Sequence, residues 1–300
     1  MLNLVEFILF EAVSQIVRPL SYRAVGRLGR WYGSLGYYCL RIRRARTLTN
    51  LRFAFPQKTE EERKAIAAGA YRNFGIAIMQ LLWSRYATAD QLKQVVRIPD
   101  RRILNECLDA GKGIVLLSAH FGCWEFIAQG LRLQIGHPIN SIVQRQRNQY
   151  IDRIIDRTRR RHGNSTISKG VQSRASLTVL KSGGILGLLG DQSGPKESIF
   201  VDFFGRAAAT HRGPAAFSLK TGSPILFVVL VRQSDGTYDA IMDRVQDQDL
   251  KGYSEEAIVE LTRRHVSLLE KRIREHPDQW LWMHNRWKHT MHAPNESATA

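Results

Sequence analysis

Short apolar runs alternate with amphipathic stretches along the last two thirds of the chain. Six runs predict strands, at 113–119, 140–145, 184–190, 198–204, 224–231 and 238–243. Stretches with apolar residues at helical spacing predict helices at 101–110, 124–134, 148–161, 171–181, 211–221 and 254–275. This alternation predicts an α/β fold in which helices flank a mostly parallel, buried central sheet.

The chain before about residue 100 is predicted to be mostly helical. Thr59 and the acids after it predict the start of one long helix. Residues 1–20, read as a helix, place an apolar stripe on one side: Leu2, Val5, Leu9, Ala12, Val13, Ile16 and Leu20. Two interpretations fit this stripe equally, a helix lying on a bilayer and a helix packed on the core. Glu6, Glu11 and Arg18 argue against a spanning helix, and the features of a signal peptide are missing.

Charge is the strongest compositional signal. The 300 residues contain 44 Lys and Arg against 27 Asp and Glu, which gives a net charge of +17. Residues 12–59 contain ten of these cations and no acid, and they include the aromatic residues Trp31, Tyr32, Tyr37 and Tyr38. A polyanionic partner is implied, and cations among Trp and Tyr favour an anionic membrane surface over nucleic acid. The three cysteines form no close pair, which is typical of a reducing compartment.

His120 and Glu125, in "HFGCWE", form the main candidate for chemistry. A histidine five residues before an acid is a weak pattern, expected roughly once by chance in this composition. Here an apolar run ends just before His120, Gly122 allows a turn, and a helix begins near Cys123 with Glu125 in its first turn. We expect Glu125 to face the imidazole, fix its tautomer and raise its basicity. The alternative is a buried structural histidine.

Other chemistries have less support in the sequence. His265 and Glu270 have the same spacing, but five residues of helix turn about 140° and separate the two side chains. Cys123 is a candidate thiol nucleophile, although a cysteine packed toward the core is commoner. A metal site is not expected, because His284, His289 and His292 have no acidic or cysteine partner nearby. No G-x-S-x-G, Walker A or dinucleotide motif is present.

Several ordered blocks resemble the bacterial lipid A late acyltransferases of the lysophospholipid acyltransferase superfamily. The blocks are "NLRFAFP" (50–56), "HFGCWE" (120–125), "VQRQRN" (143–148), "GDQSGPKESIFVDFFGRAAAT" (190–210), "GPAAFSLKTGSPIL" (213–226) and "QWLWMHNRWK" (279–288). The resemblance implies an enzyme on the cytoplasmic face of the inner membrane, peripheral or anchored by its N-terminus. It would transfer an acyl chain from acyl carrier protein or coenzyme A to a hydroxyl of a glycolipid, without a further cofactor and without nucleic acid. His120 and Glu125 fall on the family's H-x4-D/E positions.

Five further residues are candidates for the site. Asp191 of "GDQ" follows an apolar strand and is either a second carboxylate near His120 or a strand-end cap. Arg145, which ends another strand, suits an oxyanion or an acceptor phosphate. Arg161 ends an arginine-rich helix that suits phosphorylated lipid or an acidic carrier protein. Gly205 and Thr210 bracket a turn that either shapes the acceptor pocket or is ordinary loop structure.

The sequence therefore predicts a basic, aromatic, membrane-associating helical region at 1–56, an acyltransferase domain at 57–292 continuous with it, and a tail at 293–300. The leading hypothesis is an O-acyltransferase for a lipid A precursor or related glycolipid, with His120 as general base. The alternatives are an acyltransferase for another lipid (a lysophospholipid, a glycosylated diacylglycerol or an amino-acid lipid) and a non-catalytic basic protein that binds nucleic acid or membrane.

Overall fold

A seven-stranded sheet organises the chain. The computed structural model describes residues 2–168, 172–196, 198–250 and 252–290, so the predicted tail at 293–300 lies outside the described residues. The strands are β1 (Val96–Arg97), β2 (Ile114–Ser118), β3 (Ile139–Val143), β4 (Ser165–Ser168), β5 (Ile185–Leu189), β6 (Ile199–Phe203), β7 (Arg206–Thr210), β8 (Ile225–Arg232) and β9 (Tyr238–Arg244). In the sheet they follow the order β1-β9-β8-β2-β5-β3-β4, while β6 and β7 form a separate antiparallel hairpin.

Five neighbouring strands of the sheet, β8, β2, β5, β3 and β4, are parallel. The remaining two, β9 and β1, run in the opposite direction at one edge. All five residues of β2 are buried, as expected for a strand covered on both faces. The prediction of a mostly parallel α/β sheet flanked by helices is therefore confirmed.

Helices cover both faces of the sheet. They are α1 (Leu2–Val17), α2 (Tyr22–Tyr38), α3 (Arg44–Ala54), α4 (Glu60–Ser84), α5 (Ala89–Val95), α6 (Arg102–Asp109), α7 (Glu125–Ile135), α8 (Gln149–Arg160), α9 (Gln172–Lys181), α10 (Gly213–Thr221) and α11 (Glu255–Glu275). The expected start of α4 is confirmed: Thr59 and Glu62 form a reciprocal capping box. Alternate residues of β2 enter two apolar clusters, one on each face, which contain Leu116 and Leu117 respectively.

Helix α1 turns most of its predicted apolar stripe outward. Leu2, Leu9 and Ile16 are each about 60% exposed, at 64%, 62% and 60%. The face toward the protein is instead polar in part, since Ser14 is buried and Glu11 pairs with Arg85 at 3.0 Å. Of the two interpretations of this stripe, the exposed apolar face fits the helix that lies on a bilayer. Within the described residues, no helix has both the length and the apolar character needed to cross a membrane.

Candidate active site

The ends of two adjacent parallel strands bring His120 and Asp191 together. Ser118 of β2 pairs with Leu189 of β5, and the two candidates follow two residues later on each strand. Nδ1 of His120 donates to Oδ1 of Asp191 at 2.9 Å, and the backbone N–H of His120 donates to Oδ2 at 3.0 Å. Asp191 therefore lies beside the imidazole and also caps the end of the strand, so both interpretations of this residue hold.

The loop after His120 is fixed by a segment from the far end of the chain. Gly122 has a positive φ of 53° and donates its N–H to the carbonyl of Gln279 at 2.9 Å. A side chain there would collide with the carbonyl oxygen of Leu230, 2.0 Å from an added Cβ, so the close approach requires glycine. The next residue of the distant segment, Trp280, donates its indole N–H to Oδ2 of Asp191 at 2.9 Å.

The paired groups shift each other's pKa. Burial alone would raise the pKa of Asp191, but the charge of His120 and hydrogen bonds from His120 and Trp280 outweigh it and lower the pKa to about 2. For His120, burial opposes the charged form, yet the Asp191 carboxylate outweighs burial and the imidazole pKa is raised above its ordinary value. Because an ionised carboxylate only accepts hydrogen bonds, Nδ1 carries the proton and Nε2 is the basic nitrogen.

Glu125 does not make the contact that the spacing predicted. It begins α7, and its carboxylate accepts two hydrogen bonds from the Arg159 guanidinium of α8, at 2.6 and 2.9 Å. The expectation that Glu125 contacts and orients the imidazole is therefore not met. Asp191, which follows β5, makes this contact instead. Glu125 acts on His120 through its charge, which raises the pKa of the imidazole.

Two other candidates hold the structure together outside the site. Arg161 donates to the backbone carbonyls of Ser84 and Arg85, at 3.1 and 2.7 Å, and so ties the end of α8 to α4. Gly205 lies in the turn of the β6–β7 hairpin with a φ of 73°. Neither residue lines the cleft beside His120. The Gly205 turn therefore does not shape the cleft, and the alternative interpretation, ordinary loop structure, applies.

Thr210 is fully buried behind the loop that carries Asp191. Its hydroxyl donates to the carbonyl of Ala208 at 3.0 Å and accepts from the Arg286 guanidinium at 2.6 Å. Burial lowers the pKa of Arg286 to about 10, so this cation stays charged at neutral pH. Thr210 and Arg286 therefore support the loop from behind, and Thr210 does not line the cleft.

Sequence reasoning missed several neighbours of His120. The Trp124 ring lies 5.1 Å from the imidazole, centroid to centroid, and Gln192 Nε2 lies 3.5 Å from His120 Nε2. Trp280 and His284 come from the "QWLWMHNRWK" block, and His284 accepts a hydrogen bond from the backbone N–H of Ser193 at 2.8 Å. Local sequence could not predict these contacts, because about 90 residues separate Trp280 from Asp191. The one indication was that "QWLWMHNRWK" is among the blocks that resemble the acyltransferase family.

A cleft of about 1040 Å³ opens beside His120 at the carboxyl ends of the parallel strands. Apolar residues from both faces of the sheet line it, including Leu116, Ile127, Leu177, Leu188 and Phe217. Cationic side chains line the cleft as well: Arg145, Arg147, Arg159, Arg212 and Lys220. Ligands of parallel α/β sheets bind at this edge, and a cleft lined by both apolar and cationic side chains suits a lipid with an anionic headgroup.

The surroundings favour base chemistry over a covalent enzyme intermediate. Cys123 is fully buried, and burial raises the pKa of its thiol well above the ordinary value. Within the described part of the chain, no group of three His, Cys, Asp or Glu side chains is arranged to hold a metal ion. His120, with Asp191 behind it and Nε2 toward the cleft, is the group suited to taking a proton.

The chain belongs to a class of acyltransferases that act on lipids. Residues 2–289 match the bacterial lipid A biosynthesis acyltransferase family, and the chain belongs to this family. It is 24% identical over 271 residues to the lipid A biosynthesis palmitoleoyltransferase of Escherichia coli (strain K12), which covers 90% of this chain and 86% of the relative. Against the lauroyltransferase of the same organism it is 24% identical over 276 residues, or 91% and 88% of the two chains.

A third relative is more similar over a shorter stretch. The chain is 28% identical over 201 residues to a lipid A biosynthesis acyltransferase of Haemophilus influenzae (strain ATCC 51907 / DSM 11121 / KW20 / Rd), which covers 65% of this chain and 60% of the relative. The chain is thus an acyltransferase of lipid A biosynthesis that transfers acyl chains to a lipid A precursor.

Proposed function

We propose that this protein transfers a fatty acyl chain from an acyl-carrier-protein or coenzyme A thioester to a hydroxyl of a lipid A precursor or a closely related glycolipid, with His120 as general base. The single observation that carries this proposal is the geometry of His120: Nδ1 donates to Asp191 at 2.9 Å, and the ring lines the lipid-sized cleft. A thioester is reactive enough to be attacked directly, so a base at this position suffices.

The reaction follows from these groups. Nε2 of His120 removes the proton of the acceptor hydroxyl as its oxygen attacks the thioester carbonyl carbon. The tetrahedral intermediate collapses, the carbon–sulfur bond breaks, and the thiolate takes the proton from the imidazolium, which leaves an ester and a free thiol. Asp191 stabilises the imidazolium in between, as the carboxylate of a catalytic triad does.

Charged groups near the cleft are proposed to bind the substrates. Arg145 follows β3, is exposed and lines the cleft, so it suits a phosphate of the acceptor. Glu125 neutralises Arg159 and holds it beside the histidine, with side chains that are only 11% and 21% exposed. Arg153 and Arg157 are exposed on α8, where they suit an acidic carrier protein.

The N-terminal region is proposed to hold the enzyme on the cytoplasmic face of the inner membrane. Helix α1 exposes Leu4 and Ile8, and the segment after α2 exposes Leu40 and Ile42. Arg41 and Arg43 flank Leu40 and Ile42 in the sequence, and the other cations of residues 12–59 follow α1. Helix α1 also contacts the rim of the cleft, because Glu6 pairs with Arg147 at 2.6 Å. Binding through α1 would bring the cleft close to the lipid acceptor.

Acyl transfer by His120→Ala tests the proposal. Loss of a general base lowers turnover by about 10²–10⁴-fold. The matched control is His265→Ala, because His265 has the same spacing to an acid but is buried in α11. Both variants are assayed with an acyl-carrier-protein thioester and a lipid A precursor, at equal folded concentration. An active His120→Ala variant would contradict the assignment of the base. Mass spectrometry of lipids from a deletion strain, which should lack one acyl chain, tests the acceptor.

A further inference from the structure

Part of the cleft lies between α7 and the sheet, where Ile127, Ala128 and Gln129 of α7 face Leu116 and Ile139 of the sheet. Further from the carboxyl ends of the strands lies a row of buried isoleucines paired across three strands, Ile114, Ile185 and Ile139. The next row toward the mouth is Leu116, Gly187 and Ser141. A Cβ on Gly187 would lie 3.0 Å from Cγ2 of Ile139 and 3.3 Å from Oγ of Ser141, so glycine lets these two side chains pack closely on β5, and all three residues line the cleft. We call this part of the cleft the α7 arm.

Gln129 of α7 lines the cleft and leaves one polar atom without a partner. The residue has no exposed surface, and its Oε1 accepts no hydrogen bond from any described residue. Its Nε2 donates, at long distance, to the carbonyl of Glu125 (3.4 Å) and to Oγ of Ser84 (3.5 Å). Turning the amide over would set Oε1 against the Glu125 carbonyl, and two acceptors repel each other. The free atom is therefore the acceptor Oε1.

A buried acceptor without a donor destabilises the protein unless something else supplies the hydrogen bond. The walls of the α7 arm are otherwise largely hydrocarbon, from Leu116, Ile127, Ala128 and Ile139. The ligand that fits both features is a hydrocarbon chain with one hydroxyl group. A hydroxyl that donates to Oε1 would satisfy the amide while the rest of the chain packs on apolar side chains.

The shape of the cleft indicates which substrate carries this hydroxyl. On the other face of the sheet, Leu188 and Phe217 line a part of the cleft that also contains Arg212 and Lys220. A glycolipid acceptor, which is broader than one chain and has an anionic headgroup, suits that side. The α7 arm, with its largely apolar lining, suits the single acyl chain of the thioester.

We propose that the α7 arm binds the acyl chain of the donor, and that Oε1 of Gln129 selects donors with a hydroxyl on that chain. The inference rests on the proposed acyl transfer and names its donor class. Gln129 lies one helical turn beyond Glu125, about 6 Å deeper along α7. The hydroxyl is therefore expected within the chain, between the thioester and the far end.

A panel of donor thioesters of one chain length tests this inference. One donor is unsubstituted and the others carry a single hydroxyl at successive carbons. For the parent, the best hydroxylated donor should have a kcat/KM about tenfold or more above the unsubstituted donor, as expected when a buried acceptor would otherwise stay unpaired. In Gln129→Met, similar in shape but without the acceptor, the ratio should fall to about one. Gln134→Met on the same helix, outside the cleft, should keep the parent ratio.

The outcomes separate this inference from the proposed function. Equal use of both donor types by the parent, or an unchanged ratio in Gln129→Met, would overturn the role of Gln129 but not the proposed acyl transfer. A water molecule that donates to Oε1 in place of the donor hydroxyl would give this result. If the parent transfers no chain at all, both proposals fail. If Gln129→Met does not fold, thermal melting of the parent decides: hydroxylated fatty acids should raise Tm more than unsubstituted ones, and an equal rise would overturn the inference.

Discussion

Asp191 binds both the ring and the backbone of His120. Its Oδ1 accepts from Nδ1 at 2.9 Å, and its Oδ2 accepts from the backbone N–H at 3.0 Å. Two contacts from one buried carboxylate fix the rotation of the imidazole and the position of the strand end together. The remaining nitrogen, Nε2, is then held toward the cleft, where an acceptor hydroxyl would lie.

Asp191→Asn should lower turnover and move its pH dependence. The base works only when neutral, and the Asp191 carboxylate raises the pKa of His120, so activity should rise with pH through that raised value. The amide removes the charge, the pKa of His120 falls, and the acidic limb should move to lower pH. Turnover should drop by about 10²–10⁴-fold. A kcat profile across pH 4–9 measures both effects; an unmoved acidic limb would mean that another group controls it.

Glu125 and Arg159 should act as a pair. Each single change, Glu125→Gln or Arg159→Gln, leaves the other charge largely buried without its partner and should cost stability of a few kcal/mol. The double variant should be less destabilised than the sum of the two. Urea unfolding of all three measures the coupling, and activity should fall less in Glu125→Gln than in His120→Ala. Additive single effects would show that the pair is not coupled.

The apolar and polar pattern located the main strands because buried parallel strands leave a strong local signal. All six predicted strands form, including β2 and β5, which place His120 and Asp191. Strands β1, β4 and β7 were missed. The sequence of β7, "RAAAT", has little β propensity, and this strand exists because it pairs with β6 in a hairpin. Tertiary contact, not local sequence, decides such strands.

The sequence predicts which residues of the candidate site lie at strand ends, but not which of them meet. Both His120 and Asp191 follow predicted strands, so their meeting depends on which strands are neighbours in the sheet. Spacing suggested Glu125 as the partner because it lies close in sequence, yet its carboxylate binds Arg159, 34 residues away. Trp280 shows the same limit, since its bond to Asp191 spans 89 residues.

Cys123→Ala should keep most of the acyl transfer activity. The thiol is fully buried and its pKa is raised well above the ordinary value, so almost no thiolate is present at neutral pH. The loss of a buried sulfur should instead lower the free energy of unfolding by about 1–2 kcal/mol. Mass spectrometry of the parent after mixing with a thioester should find no acylated cysteine. An acyl group on Cys123, with loss of activity in Cys123→Ala, would point to a covalent mechanism.

His265 should make the fold sensitive to acid. Burial, with a smaller effect from the charge of Arg286, lowers the pKa of His265 from 6.5 to about 3. As pH falls below about 6.5, His265 binds a proton in the unfolded chain but stays neutral in the folded chain. The free energy of unfolding therefore falls by up to about 1.4 kcal/mol per pH unit. His265→Gln should flatten this slope. Urea unfolding between pH 7 and 4 measures it; the pKa of His284 is lowered in the same direction and accounts for part of the slope that remains.

Binding to lipid vesicles should need both the apolar face of α1 and the exposed cations of α2. Leu4 and Ile8 are 50% and 56% exposed, so Leu4→Ser with Ile8→Ser should weaken binding at every salt concentration without lowering Tm. Arg27 and Arg30 are exposed on α2, and changing both to Gln should weaken binding to anionic vesicles at low salt, by about 1 kcal/mol for each charge. Neutral vesicles are the control, because the arginine variant should bind them like the parent. Equal binding of the parent to neutral and anionic vesicles at low salt would contradict the role of charge. Full binding by the α1 variant would mean that another surface contacts the bilayer.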